Sequence, residues 1–152
     1  MSLSRSQLRP AGRVLLIDAR DRVLLVQYRR HDGRMFWGTV GGAVDPGESY
    51  AEAARRELFE ETGFRAEGEL GEPAYERDFE FMWGTRTIHA VEQHFVVRTD
   101  VFEVDDEAFR EAWAPEGIVT HGWWSVDELR ATEEVVYPQD LAERLAEILR
   151  SV

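Results

Sequence analysis

Residues 42–64 read GAVDPGESYAEAARRELFEETGF, a run bounded by glycine at both ends. Asp45-Pro46-Gly47 has turn composition, and Ser49 with Glu52 three residues on forms a capping box. A helix therefore starts at Ser49, and Gly63 stands where a C-terminal glycine stop belongs. Within that helix Glu57, Glu60 and Glu61 fall at i, i+3 and i+4, on one face, with Cβ atoms about 5–6 Å apart. Like charges at that spacing oppose helix formation by about 0.2–0.5 kcal/mol per pair. Pairs of Arg56 with Glu52 and Glu60 offset part of this. A divalent cation would reverse the sign of the whole cluster. Hard cations such as Mg2+ want carboxylate oxygens, keep waters, and take other ligands from substrate phosphates. Gly41-Gly42 followed by Glu48 adds another carboxylate on a tight turn just ahead of the helix N-terminus, a place that suits phosphate.

On the N-terminal side of this run, Val14–Asp18 and Val23–Tyr28 are apolar, β-branched-rich segments joined by the polar turn 19–22, which predicts a hairpin. A charged loop, Arg29–Arg34, leads into the glycine-rich stretch Trp37–Gly42. On the C-terminal side, Ala74–Met82 and Thr87–Thr99 read as a second hairpin turning at Trp83-Gly84, and Ile118–Trp124 as a further strand. Val126–Arg130 follows as a short helix. Pro138–Arg150 is an amphipathic helix with Leu141, Leu145, Ile148 and Leu149 on one face. Strands alternating irregularly with helices predict an α/β or α+β layer sandwich around a mixed sheet.

The 152 residues suit one domain, 1–152, of ordinary globular composition. Cysteine is absent, so disulfides and thiolate metal sites are excluded, and a metal would have to be held by oxygen or by the four histidines. No apolar run approaches the roughly 20 residues of a membrane span, and the polar Met1–Pro10 segment lacks a signal-peptide core. The expected location is cytoplasmic, with no membrane partner. Thirty acidic residues against eighteen basic ones, all arginine, give a net charge of −12. That balance argues against the salt-dependent phosphate contacts of nucleic-acid binding. A small anion remains compatible if a cation lies between carboxylates and phosphate.

The run from Gly42 through Glu48 to Arg56-Glu57-Leu58-Phe59-Glu60-Glu61-Thr62-Gly63-Phe64 resembles the Nudix box, Gly-x5-Glu-x7-Arg-Glu-apolar-x-Glu-Glu-x-Gly-apolar, at every fixed position. The resemblance implies a Nudix-type α/β/α sandwich with the box as loop–helix–loop. It also implies hydrolysis of a nucleoside diphosphate linked to another moiety X, with Mg2+ or Mn2+ as cofactor. Carried over position by position, Glu57 and Glu61 would be the principal metal ligands. Glu60 would be a further ligand or the base that orients water, and Glu48 would complete the site. Arg56 would fix a box glutamate, Gly42 and Gly63 would serve the backbone where a side chain would clash or strain, and Gly41 and Gly42 are candidate phosphate-binding positions. A glutamate from outside the box commonly joins such sites. Glu116 is the first candidate and Glu92, on the second hairpin, the next.

The family's usual proline before the paired glycines is Val40 here, and the downstream marks of the ADP-ribose and dinucleoside polyphosphate groups are missing. The leading substrate class is therefore a nucleoside or deoxynucleoside triphosphate, with ADP-ribose and nucleotide sugars behind it. Arg29 matches an arginine that contacts phosphate in mutator-type triphosphatases. Trp37, Phe81 and Trp83 could stack on a base, although core packing is the commoner fate of such residues. His89 and His94 point to opposite faces of a regular strand, and His31 and His121 read as structural. Rival functions are a nucleotide sensor without turnover and an enzyme acting on RNA 5′ ends. The sequence does not fix the oligomeric state; members of the family it resembles are often dimers, and the 74–99 hairpin could serve as a homodimer contact.

Overall fold

The computed structural model describes residues 7–151, apart from the side chains of Trp83, residues 112–114 and Glu116. Ten elements follow in chain order: β1 (Gln7–Ile17), β2 (Val23–Arg29), β3 (Met35–Ala43), α1 (Tyr50–Thr62), β4 (Tyr75–Trp83), β5 (Arg86–Arg98), α2 (Asp106–Glu116), β6 (Ile118–Trp124), α3 (Val126–Ala131) and α4 (Leu141–Arg150). The six strands form one sheet in the order β4-β5-β1-β3-β2-β6. β1 and β5 run parallel from Gln7↔Ile88 to Ile17↔Arg98, and the other neighbours are antiparallel, so the sheet is mixed.

β1 holds the centre because Val14, Leu15, Leu16 and Ile17 are all fully buried. Alternation sends Val14 and Leu16 to one face with Leu24, Val26, Val40 and Phe95, where Ala54 and Leu58 of α1 and Phe109 of α2 cover them. Leu15 and Ile17 go to the other face with Val23, Leu25 and Trp37, under Leu129 of α3 and Leu141 and Leu145 of α4. Each such side chain contributes about 1.5–3 kcal/mol by burial, so both helical layers are anchored through β1. The result is an α/β/α sandwich. No described helix is long and apolar enough to cross a membrane.

Several expectations need correction. β1 starts at Gln7, seven residues before the first apolar run, because its parallel pairing with β5 extends that far. The predicted first hairpin is not a paired unit. β1 and β2 meet only at Ile17↔Val23, and β3 lies between them for the rest of their length. What joins them is a side-chain-built turn, in which Asp18 accepts the N–H groups of Arg20 and Arg22 at 3.0 Å and the Arg22 guanidinium at 2.7 Å. The glycine-rich stretch Trp37–Gly42 belongs to β3. The last helix begins at Leu141, three residues after Pro138. α2 is a helix that the sequence reading does not name, and the Glu116 backbone closes it. β6, α3 and the β4–β5 hairpin fall within about a turn residue of expectation.

Candidate active site

The capping box of α1 forms as expected. Ser49 accepts the Glu52 N–H and Glu52 accepts the Ser49 N–H, both at 3.0 Å, and Gly63 closes the helix in the left-handed conformation with φ 83°. Two glycines that face each other across β1 and β3, Gly12 and Gly42, set how closely α1 approaches the sheet. A Cβ on Gly12 would lie 2.2 Å from the Tyr50 carbonyl oxygen and 2.8 Å from the Ala54 nitrogen. A Cβ on Gly42 would lie 2.7 Å from the Glu57 carboxyl carbon. The floor under the helix is therefore bare backbone, and Glu57 rests directly on it.

Arg56 gathers the carboxylates. Its Nε and Nη2 donate to Glu48 at 2.7 and 3.0 Å, and its Nη1 donates to Glu57 at 2.8 Å and Glu60 at 3.3 Å. Nη2 also donates to the Ala43 carbonyl at 3.1 Å, which ties the cluster to the end of β3. Glu48 accepts the Asp45 N–H as well, and the bonds from Arg56 and Asp45 hold its carboxyl down at about 2. Glu61 is buried at 1% exposure, and its Oε2 accepts the Gly41 N–H at 3.1 Å. Glu60 is the open member, with a side chain 53% exposed.

Glu48, Arg56, Glu57, Glu60 and Glu61 thus come together around Gly41 and Gly42. The two glycines serve the carboxylates: the Gly41 N–H is given to Glu61, and Gly42 makes room for Glu57. The Gly41 N–H is therefore engaged by Glu61 rather than left open to phosphate. Arg29 lies apart. It pairs with Met35, six residues along β3 from Gly41, or roughly 20 Å of strand. Its N–H donates to the Gly117 carbonyl at 2.9 Å, beside Glu116, whose side chain is outside the described residues.

Glu92 is buried, ion-paired with Arg13 at 3.3 Å and Arg77 at 3.2 Å, and hydrogen-bonded to His94 at 3.2 Å. Burial pushes its carboxyl up, but the Arg13 charge, the His94 hydrogen bond and Arg77 outweigh that and hold it at about 2. Trp37 is a core residue, edge-on to Trp124 at 5.1 Å, and Phe81 lies against Phe79. The Trp83 side chain is outside the described residues. His94 is fully buried and stacks on Tyr75, while His89, on the opposite face, pairs with Asp78. His121 packs edge-on to Phe109.

Two residues escaped the sequence reading. Gly12 carries the signal of a glycine inside a strand, which marks close backbone approach. Arg13 is a charge directly ahead of four apolar residues, an arrangement that reads as a strand end until β1 is known to start at Gln7.

The donor set fits a hard divalent cation: carboxylate oxygens alone, one of them cradled where only glycine leaves space. Among the described residues no three acidic or histidine groups already form a closed metal cage. Mg2+ is commonly held by one or two carboxylates, with water and phosphate completing its shell.

A family model described as NUDIX domain matches residues 7–150. Nudix hydrolase 19, chloroplastic, of Arabidopsis thaliana is 43% identical over 67 residues, covering 43% of this chain and 14% of that protein. The human 8-oxo-dGDP phosphatase NUDT18 is 31% identical over 101 residues, covering 66% of this chain and 30% of that protein. The chain thus spans less than a third of the length of these two relatives. Among solved structures, the MutT protein from Methanosarcina mazei Go1 superposes with a TM-score of 0.71 at 21% identity, covering 99% of this chain and 98% of that one. That likeness concerns the fold.

Proposed function

This chain belongs to the Nudix family, and from that premise we propose that it is a metal-dependent pyrophosphohydrolase acting on (deoxy)nucleoside triphosphates. The observation that carries the reading is the Arg56-centred cluster, in which Glu48, Glu57 and Glu60 are held by one guanidinium while Glu61 is fixed to the Gly41 N–H. Four carboxylates kept together against their own repulsion suit a cation better than they suit any neutral ligand.

A bound Mg2+ or Mn2+ would polarise the phosphoryl oxygens and neutralise charge as it develops. In this reading Glu57 and Glu61 would hold it, Glu60 would be a further ligand, and Glu48 would support or complete the site through Arg56. Water adds to one phosphorus in line with the bridging oxygen, the phosphoanhydride bond breaks, and the leaving phosphate departs with that oxygen. Glu60, the exposed carboxylate, takes the water proton in this scheme. Arg56 keeps the carboxylates at their spacing, and Glu116 is the proposed contribution from outside the box. Glu92, whose oxygens are engaged by Arg13, Arg77 and His94, stays the second candidate for that role. Arg29, beside Glu116, would reach only the part of a substrate that extends along β2 and β3 away from the glutamates.

The triphosphate preference rests on the missing marks of the other groups. The human relative's name adds oxidised guanine nucleotides to the candidates. The test is phosphate and pyrophosphate release from NTPs, dNTPs, 8-oxo-dGTP, 8-oxo-dGDP, ADP-ribose and nucleotide sugars, with Mg2+, Mn2+ or EDTA. Turnover of a triphosphate that needs metal and disappears in Glu61→Gln is the expected result. Turnover confined to ADP-ribose or a nucleotide sugar would overturn the substrate class. Nucleotide binding without turnover would replace the enzyme by a sensor.

A further inference from the structure

We propose that Arg13 is a positioning residue for the metal-binding carboxylate Glu61, acting through the Gly41 peptide that lies between them. The inference rests on reading the glutamate cluster as a metal centre. The Gly41 N–H is given to Glu61 at 3.1 Å, and the carbonyl of the same residue accepts from Arg13 Nη1 at 3.3 Å. One glycine is thus held from both sides. Its φ of 143° is a conformation that other residues rarely adopt, and a Cβ there would lie 2.3 Å from the Gly12 carbonyl oxygen and 2.7 Å from the Arg13 Cα. Side-chain packing cannot orient such a residue, so hydrogen bonds must.

The guanidinium is itself over-determined. Nη1 also meets the Thr39 carbonyl at 2.9 Å and the Tyr28 hydroxyl at 3.2 Å, and Nε donates to Glu92 at 3.3 Å. Arg77 and His94 hold Glu92 from its other oxygen. The chain of contacts runs from a buried base of Arg77, His94 and Glu92, through Arg13, to Gly41 and then to Glu61. Fixing one oxygen of Glu61 sets the direction of the other. A carboxylate that ligates a metal gains affinity when its orientation is settled before the metal arrives.

The test compares the wild-type chain with Arg13→Lys, Arg13→Met and the double variant Arg13→Met/Glu92→Leu. The double variant removes the Arg13–Glu92 pair as a unit, so it separates the loss of Arg13 from the cost of leaving Glu92 with only Arg77 and His94. Mn2+ affinity is read by electron paramagnetic resonance, and kcat and KM by nucleotide hydrolysis. The folded variants lacking Arg13 should lose about 10- to 100-fold in Mn2+ affinity and kcat, with KM little changed. Lys should recover part of the loss. Glu61→Gln should cost less in the Arg13→Met background than in the wild type, as expected for two residues acting through one contact. Wild-type kcat and Mn2+ affinity in a folded Arg13 variant, whatever its melting temperature, would overturn the proposal. A wild-type protein that binds Mn2+ but hydrolyses nothing would overturn the hydrolase reading alone, and the Mn2+ affinities would then decide on Arg13.

Discussion

Gly42 shows how a single missing Cβ can belong to chemistry more than to stability. A methyl there would meet the end of the Glu57 side chain at 2.7 Å, where a flexible carboxylate can move aside. Gly42→Ala should therefore sit at the low end of the about 1–3 kcal/mol that overpacking costs, while displacing Glu57 and weakening Mn2+ binding. Urea unfolding read beside Mn2+ titration checks both halves. A large stability loss with unchanged metal affinity would contradict it. Glu92 makes a prediction of the opposite kind. Its carboxyl lies at about 2 in the folded chain against an ordinary 4.5, so its contribution to stability is fully present above pH 4.5 and is lost as pH falls towards 2. That contribution is on the order of a few kcal/mol. In urea unfolding across this range, Glu92→Gln should show a flatter dependence on pH than the wild type, and parallel curves would sink the idea. The carboxylates of α1 were legible from spacing alone, because i, i+3 and i+4 leave no choice of face. Arg13 was not, since what makes it matter is an orientation of Gly41 that only the folded β1–β3 pair creates.

At the scale of elements, the approach of α1 to the sheet depends on Gly12, where an added Cβ would strike backbone atoms at 2.2 and 2.8 Å. Backbone cannot swing away as a side chain can. Gly12→Ala should cost at least the about 1–3 kcal/mol of ordinary overpacking, more than Gly42→Ala, and chemical denaturation orders the two. Equal losses would mean that α1 shifts freely on the sheet. Ser49→Ala removes the hydroxyl that accepts the Glu52 N–H, and about 1 kcal/mol should go with it. α1 was readable because its caps are local chemistry, a serine and a glutamate three residues apart. α2 was missed because its signals are not local: of its apolar residues, Phe109 is held in place by β6 and α1 neighbours distant in sequence. An Asp105 side chain accepting the N–H groups of Glu107 and Ala108 marks its start, but an acidic cluster there reads equally well as a solvated loop.

For the whole molecule, the pairing of β1 with β5 across some eighty residues is what no local pattern could supply. The apolar run Val14–Ile17 predicts a strand, and with a polar turn after it a neighbour from the adjacent segment fits equally well, which is why a hairpin is the local reading. β5 on one side and β3 on the other make β1 an interior strand that feeds both helical layers, and the β3 pairing sets Gly12 beside Gly42, so the global topology and the site are one arrangement. The charge of the chain adds a consequence at this scale. With a net −12, and with five acidic side chains within ion-pair reach of one another's arginine at Arg56 or beside it, folding concentrates negative charge that an unfolded chain would spread. A divalent cation held by the folded site should therefore stabilise it by mass action, by about 2.7 kcal/mol at a hundred times its Kd. For a domain of this size that corresponds to a rise in Tm of about 5–10 °C. Thermal melts with Mg2+, with Mn2+, and with NaCl at matched ionic strength separate a bound ion from simple screening, because screening acts equally for all three salts. Glu57→Gln and Glu61→Gln should melt near the metal-free wild type and lose most of the metal-induced rise. A rise of the same size in NaCl, or one retained in both variants, would show that the stabilising ion is held by the general acidity of the surface and not by the glutamates of α1.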